Sequence, residues 1–437
     1  MGIKTKSLTA LSVTVFLAAA GCTSTSTETA EGVTTAVETT DGQALANSDS
    51  ADAAVADGTA GLDLDDIVRR LGDGYSRVDG DWPGFAPNEH PAVLALKTSS
   101  GELAGALAIN FPNPDALGDA EPLNTDGTPL KSVHHITNPT EADKLAELAG
   151  FDFHIMIGGV DAFAMEAGGG DDFFLPTTND YVGTFLHELF HRWQDQAFEG
   201  DIGAQDVEGY AYTPENLELA ALEERALIEA AQAQTDEART EAAKHFAGIR
   251  LARMAADDRV ADLDNSQERY EGSARYLEHR IAGTDDDFSQ YNENDYSIEL
   301  AADPSDTGGV KDHYGFGRFY ATGASILGLL DALGAEDVDE KVEGGLSPAE
   351  VLIEFLDVSA SDAADLVDEA RTNYDPLDEL PSKAAESAAA AKDEPPVFSD
   401  DDFPSAEDDG GDEGDNKRVA DVVADATVLA AGADGTL

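Results

Sequence analysis

Any fold this chain adopts must absorb a formal charge of −63, set by 89 Asp and Glu against 26 Lys and Arg in 437 residues. The charge is not confined to the ends: residues 61–382 hold 67 acids and 20 bases. The chain is also 42 % apolar, with 18 Phe, 11 Tyr and 2 Trp, enough for one large core or two smaller ones, so disorder throughout is excluded. The sign of the charge excludes an electrostatic nucleic-acid binder, because such a surface repels phosphate. A folded globule this acidic repels itself in dilute buffer and is tolerated where salt screens it, which points to a halophilic setting.

The N-terminus begins with a short basic segment, Met1 to Lys6, followed by an apolar run from Leu8 to Ala20 and then Gly21-Cys22. The apolar run is too short to span a bilayer comfortably, and small residues precede Cys22, so the segment reads as a secretory signal. Ala19-Ala20-Gly21-Cys22 resembles the bacterial lipoprotein box, with Ala19 where Leu is usual. The resemblance implies removal of residues 1–21, lipidation of Cys22, and anchoring to the outer face of the cell membrane or envelope. An ordinary signal peptide that happens to contain a cysteine is the alternative. Cys22 is the only cysteine, so the chain has neither an intrachain disulfide nor a thiolate metal site, and a metal must be held by His and carboxylate.

Residues 22–60 are Thr, Ser, Ala, Gly and acid, the composition of a flexible tether. Residues 61–180 are read as strand-rich. Short apolar runs at 92–96, 103–111, 154–157 and 162–165 are bounded by turn residues, with a helix expected at 140–149. From 181 to 381 the spacing becomes helical, with helices expected at 214–234, 236–256, 320–333 and 348–358. Residues 382–437 read as a disordered acidic tail. The expected class is α+β, with a strand-rich N-terminal half and a mainly helical C-terminal half.

The chemistry concentrates in Tyr181 to Gln194. Apolar residues at 182, 185, 186, 189, 190 and 193 form a helical stripe. His187 and His191, four apart, share one face of that helix and reach one ion, with Glu188 one step round: the HExxH arrangement. A catalytic zinc site has three protein ligands and one open position, so a third ligand is needed. Glu271 is the candidate, on a segment where Tyr270, Ala274, Leu277 and Ile281 form the buried stripe, which leaves Glu271 at its margin, and where Gly272 admits another helix. In a chain with 89 acids, a solvated acidic face is the competing reading for Glu271.

His187-Glu188-x-x-His191-x-x-Gln194, followed by Glu271-Gly-x-Ala-x-Tyr, resembles the gluzincin metallopeptidases and is particularly similar to the bacterial peptidase-MA-like families. The resemblance covers about residues 180–333. It implies Zn2+ bound by His187, His191 and Glu271, Glu188 as general base on the attacking water, and a peptide or protein substrate. It also implies a second oxyanion donor, for which Tyr320 is the first choice, with His313 and Arg318 behind it. The separation of 80 positions from His191 to Glu271 is far more than thermolysin-like enzymes have, and the intervening sequence reads as an inserted helical hairpin. Gln194 and Asp195 are candidate partners of the ligand histidines, with a solvated helix end the equal alternative.

Residues 104–110 are a candidate edge strand for pairing with an extended peptide, although a core strand is the commoner outcome. His134 and His135 do not share an ion if they lie on a strand, because neighbours there face opposite sides. Two other functional classes stay open: a lipoprotein binding module with a degenerate or structural HExxH, and a structural protein of the cell envelope with a coincidental motif.

Overall fold

The computed structural model describes residues 62–390, except 79, 169–175, 177–178, 201–209, 283–313, 315–316, 375–376 and 378. The expected signal peptide, Cys22, the tether, His313 and the tail beyond 390 lie outside the described residues. Among those described, no helix is long and apolar enough to cross a membrane.

The first element is a helix that the strand-rich reading of this segment did not separate out, α1 (Leu64–Val78). Ile67, Val68, Leu71, Tyr75 and Val78 recur at helical spacing on its buried side. Asp63 caps it by accepting from the amide of Asp66 at 3.1 Å, and Asp65 and Asp66 sit at the positive end of its dipole.

Six strands follow: β1 (Ala92–Lys97), β2 (Leu103–Ile109), β3 (Gly118–Pro122), β4 (Val133–Pro139), β5 (Phe151–Ile157) and β6 (Val160–Gly168). They form one sheet in the order β3-β4-β2-β1-β6-β5, in which only β1 and β6 pair in parallel. A single turn of helix, α2 (Ala142–Ala146), is all that forms of the helix expected at 140–149.

Alternation sorts the strand residues onto two faces. Leu94, Leu107, Phe151 and Phe163 join the main core under α1, while Val93, Ala106, Ala108 and Ala164 pack on Leu145 and Leu148 on the far side. Because both faces are covered, β1 reads as a continuous apolar run. Of the two readings of 104–110 the core strand holds: β2 is hydrogen-bonded on both sides, to β1 and β4, so it is not an edge that could pair with a peptide. The sheet's edges are β3 and β5.

The helical half opens with α3 (Asn179–Ala197), then α4 (Pro214–Gln232) and α5 (Asp236–Ala256), each of the latter two capped by a threonine, Thr213 and Thr235. These two pair as the hairpin expected between the metal-binding segments. A helical run from 258 to 282 follows. It consists of a π-helical segment (Val260–Asp264), α6 (Asn265–Gln267), a second π-helical segment (Glu268–Gly272) and α7 (Ser273–Ala282). Next come α8 (Arg318–Leu333), α9 (Val338–Glu343), α10 (Pro348–Phe355), α11 (Ala363–Asn373) and α12 (Leu380–Ala390). The last corrects the expected start of disorder at 382: Ala has the highest helix propensity, and Ala384 and Ala388, one turn apart, are buried against α4.

Candidate metal centre

Helix α3 passes between the sheet and α7. Phe185, Leu186, Leu189 and Phe190 bury its stripe, and this holds His187, Glu188 and His191 out of solvent. The second π-helical segment brings Glu271 to the same point, also fully buried. Its margin position in the sequence pattern is overturned because the segment is buried on every side, Glu268, Arg269, Tyr270 and Gly272 included.

Three atoms converge. The Nε2 atoms of His187 and His191 are 3.0 Å apart, and Glu271 Oε2 lies 3.1 Å from His191 Nε2 and 3.4 Å from His187 Nε2. Tetrahedral coordination with bonds of about 2.0–2.1 Å places neighbouring ligands about 3.3 Å apart, so this triangle matches one face of such a site. Two imidazole lone pairs this close repel each other unless a cation or a proton sits between them. These three residues are the one group of metal-ligating side chains found among the described residues.

Partners on the far side fix each imidazole. His191 Nδ1 donates to Gln194 Oε1 at 2.6 Å, and Gln194 Nε2 in turn donates to Tyr270 O at 3.1 Å and Ser273 Oγ at 2.8 Å. The amide of Gln194 therefore has only one sensible orientation, and it leaves His191 Nε2 with its lone pair toward Glu271. His187 Nδ1 faces Glu278 Oε2 at 3.2 Å, and Arg275 Nη1 holds the same oxygen at 2.9 Å. The ring of Tyr270 stacks on His191 with centroids 4.0 Å apart.

Glu188 differs from the other acids here. Both of its oxygens are buried without a hydrogen-bond partner among the described residues. Burial pushes its carboxyl up to about 8, with His187 opposing and Glu271 and Glu278 adding to the rise. Burial works against charge on Glu271 too, but His191 and His187 overcome it and hold Glu271 at about 2. For His187, burial favours the neutral ring, while hydrogen bonding to Glu271 and Glu278 raises the metal-free imidazole to about 10. A cation here therefore displaces a proton.

Tyr320 enters from α8. Its ring stacks parallel to that of His187 with centroids 5.9 Å apart, and its phenol lies against the Glu271 carboxylate. Burial, then Glu271 and Glu188, keep the phenol well above its ordinary pKa, so it stays a hydrogen-bond donor. Tyr320 and Glu271 meet because α8 crosses the second π-helical segment at two glycines: a Cβ on Gly272 would lie 2.5 Å from Gly323 Cα.

The structure brings His187, Glu188, His191, Glu271, Gln194 and Tyr320 together. Arg318 is corrected as an oxyanion candidate: it is buried in a separate ionic cluster, donating to Glu223 at 2.7 Å. For Asp195 the solvated helix end holds: it is exposed, and Gln194 makes the contact with His191. Glu278, Arg275 and Ser273 were not assigned roles from the sequence, although Glu278 lies two turns beyond Glu271, a spacing that returns to nearly the same side of a helix. No protein-family model, curated protein or solved structure matches the chain.

Proposed function

We propose that the protein is a zinc-dependent metallopeptidase of the gluzincin type, secreted and held by a lipid on Cys22 at the outer face of the cell membrane or envelope. The observation that carries this reading is the convergence of two Nε2 atoms and one carboxylate oxygen beside a buried carboxylate, Glu188, that makes no hydrogen bond among the described residues. Imidazole and carboxylate donors without thiolate suit zinc as a catalytic ion. When bound, zinc supplies Lewis acidity, which polarises a peptide carbonyl and lowers the pKa of water toward about 7.

The chain's own residues supply the rest. Glu188 has an unengaged carboxylate and takes the proton of the attacking water, then passes it to the leaving amine. Tyr320, held protonated, donates to the oxyanion that forms on the substrate carbonyl. Gln194 and Glu278 keep the imidazoles fixed through the cycle. Strand β5 is the sheet edge beside this site, since Phe153 packs edge-on against His191 with centroids 6.1 Å apart. Its Phe153 carbonyl accepts from Arg192 Nη1, so the backbone of β5 is not free there to pair with a peptide.

The test is Glu188→Gln. It is expected to retain one zinc per chain and to lose peptidase activity on a mixed peptide library by about a thousandfold or more, the scale of losing a general base together with the electrostatics around it. Unchanged hydrolysis by the variant contradicts the assignment.

A second reading, a non-catalytic structural metal centre in an envelope lipoprotein, is favoured by the burial of His187, Glu188 and His191, none more than 1 % exposed. It expects chelation to lower the melting temperature of a protein that cleaves nothing in the library.

A further inference from the structure

We infer that Glu268 is a positioning residue for the metal centre: by gripping Arg250 and Thr322 it sets the direction in which Glu271 points. The inference rests on the metal reading of His187, His191 and Glu271 given above. Glu268 and Glu271 belong to the same π-helical segment, three residues apart, and both are fully buried. Glu268 Oε1 accepts from Arg250 Nη2 at 2.7 Å and from Thr322 Oγ1 at 2.6 Å, and Oε2 accepts from Arg250 Nη1 at 2.8 Å. Arg250 comes from α5 and Thr322 from α8, so one carboxylate ties three helical segments together.

This tie bears on the metal centre through register. Thr322 precedes Gly323, where a Cβ would lie 2.6 Å from both Gly272 Cα and Glu268 O. Helix α8 is thus pinned to the π-helical segment at two adjacent points, Thr322 on Glu268 and Gly323 on Gly272. The same register seats Tyr320, two residues before Thr322, beside Glu271. On an α-helix, residues three apart lie close to one face. The wider π-turn turns the two carboxylates apart, Glu268 toward Arg250 and Glu271 toward the histidines. A buried ion pair is a weak device for stability alone, because apolar side chains of equal volume avoid its desolvation, whereas fixing register is the role best attested for buried charges.

The test is the Zn2+ affinity of the full chain in concentrated salt, by competition with a chromophoric chelator, beside the melting temperature of the metal-free protein. Glu268→Gln, folded, is expected to bind Zn2+ at least about tenfold more weakly, the loss typical when a residue that orients a metal ligand is changed. Thr322→Val keeps both charges and nearly the same volume, and is expected to weaken binding about threefold, the scale of one lost hydrogen bond. The visible spectrum of the Co2+-loaded protein is expected to change in both variants. If Glu268→Gln does not fold, Thr322→Val decides. Variants that melt lower yet bind Zn2+ with wild-type affinity and give the wild-type Co2+ spectrum overturn the inference and leave Glu268 a stabilising role only. If the wild-type chain itself binds no zinc, the metal reading fails and this inference fails with it. If the wild type binds and both variants bind equally well, the metal reading stands and this inference alone fails.

Discussion

Glu223 and Glu188 are carboxylates of the same kind, neither exposed to solvent, in neighbouring parts of the helical half, and their surroundings drive them in opposite directions. Burial tends to neutralise both. At Glu223 the charges of Arg250, Arg253 and Arg318 outweigh it and hold the group at about 2. At Glu188 no arginine answers, and the group rises to about 8. Around Glu223 the oxygens are engaged, by Arg250 Nε at 2.8 Å, Arg318 Nη2 at 2.7 Å and Arg253 Nη1, with Asp264 and Glu268 sharing the same guanidinium groups. Around Glu188 they are left over. One cluster has its carboxylate fully engaged, and the other leaves a buried carboxylate without a hydrogen bond among the described residues. A chain with only 26 bases places three of its arginines in the first cluster, although its surface carries a large excess of acid. That contrast fits a framework built to hold a site rather than charge matching in general.

The sharpest way to break the comparison is to exchange each carboxylate for its amide. Glu223→Gln leaves three buried guanidinium groups short of a counter-charge and is expected to cost about 3–5 kcal/mol of unfolding free energy in denaturant titration. Glu188→Gln removes a group with no hydrogen bond to lose and is expected to change stability by less than about 1 kcal/mol. Equal costs would erase the distinction. Metal removal ranks next: chelation of the zinc-loaded protein at about a thousandfold excess over Kd is expected to cost about 4 kcal/mol, read as a fall in melting temperature.

Gly323→Ala is expected to cost about 1–3 kcal/mol by forcing α8 off Glu268 and Gly272, and to weaken metal binding as well. Acid should act on the arginine cluster. The folded pKa of Glu223 lies below its unfolded value of 4.5, so its contribution is fully present above pH about 4.5 and is lost as pH falls toward about 2. Glu223→Gln is expected to flatten the fall in stability over that window, measured by denaturation at several pH values. The smallest effect belongs to the surface. Arg371 and Glu218, paired at 3.0 Å at the surface and both partly exposed, are expected to contribute less than about 1 kcal/mol, and less in strong salt.

Much of the site was legible in the sequence because histidine is scarce here: two of nine stand four apart inside an apolar helical stripe. Helix limits were legible where a cap marked them, as at Thr235 before Asp236–Ala256. The acids were not. Glu188 and Glu271 stand out only through the motifs around them, and Glu223, Glu268 and Glu278 look like any other glutamate in a chain with 89 acids, separated from the solvated majority by packing alone. Burial on every side adds to the difficulty, since a one-faced helical pattern leaves Glu271 at the margin while the segment from Glu268 to Gly272 is covered all round. Strand order was out of reach as well, because β1 and β2 are both apolar runs whose neighbours are set by pairing far along the chain.

The most direct test of the metal centre is zinc content per chain after equilibration with buffered Zn2+ in concentrated salt, for the wild type and for Glu271→Gln. The wild type is expected to carry about one zinc per chain and the variant to lose most of it under the same free zinc, since one of three protein ligands is changed. A wild-type chain that is folded and metal-free, or a Glu271→Gln variant that binds as the wild type does, contradicts the account.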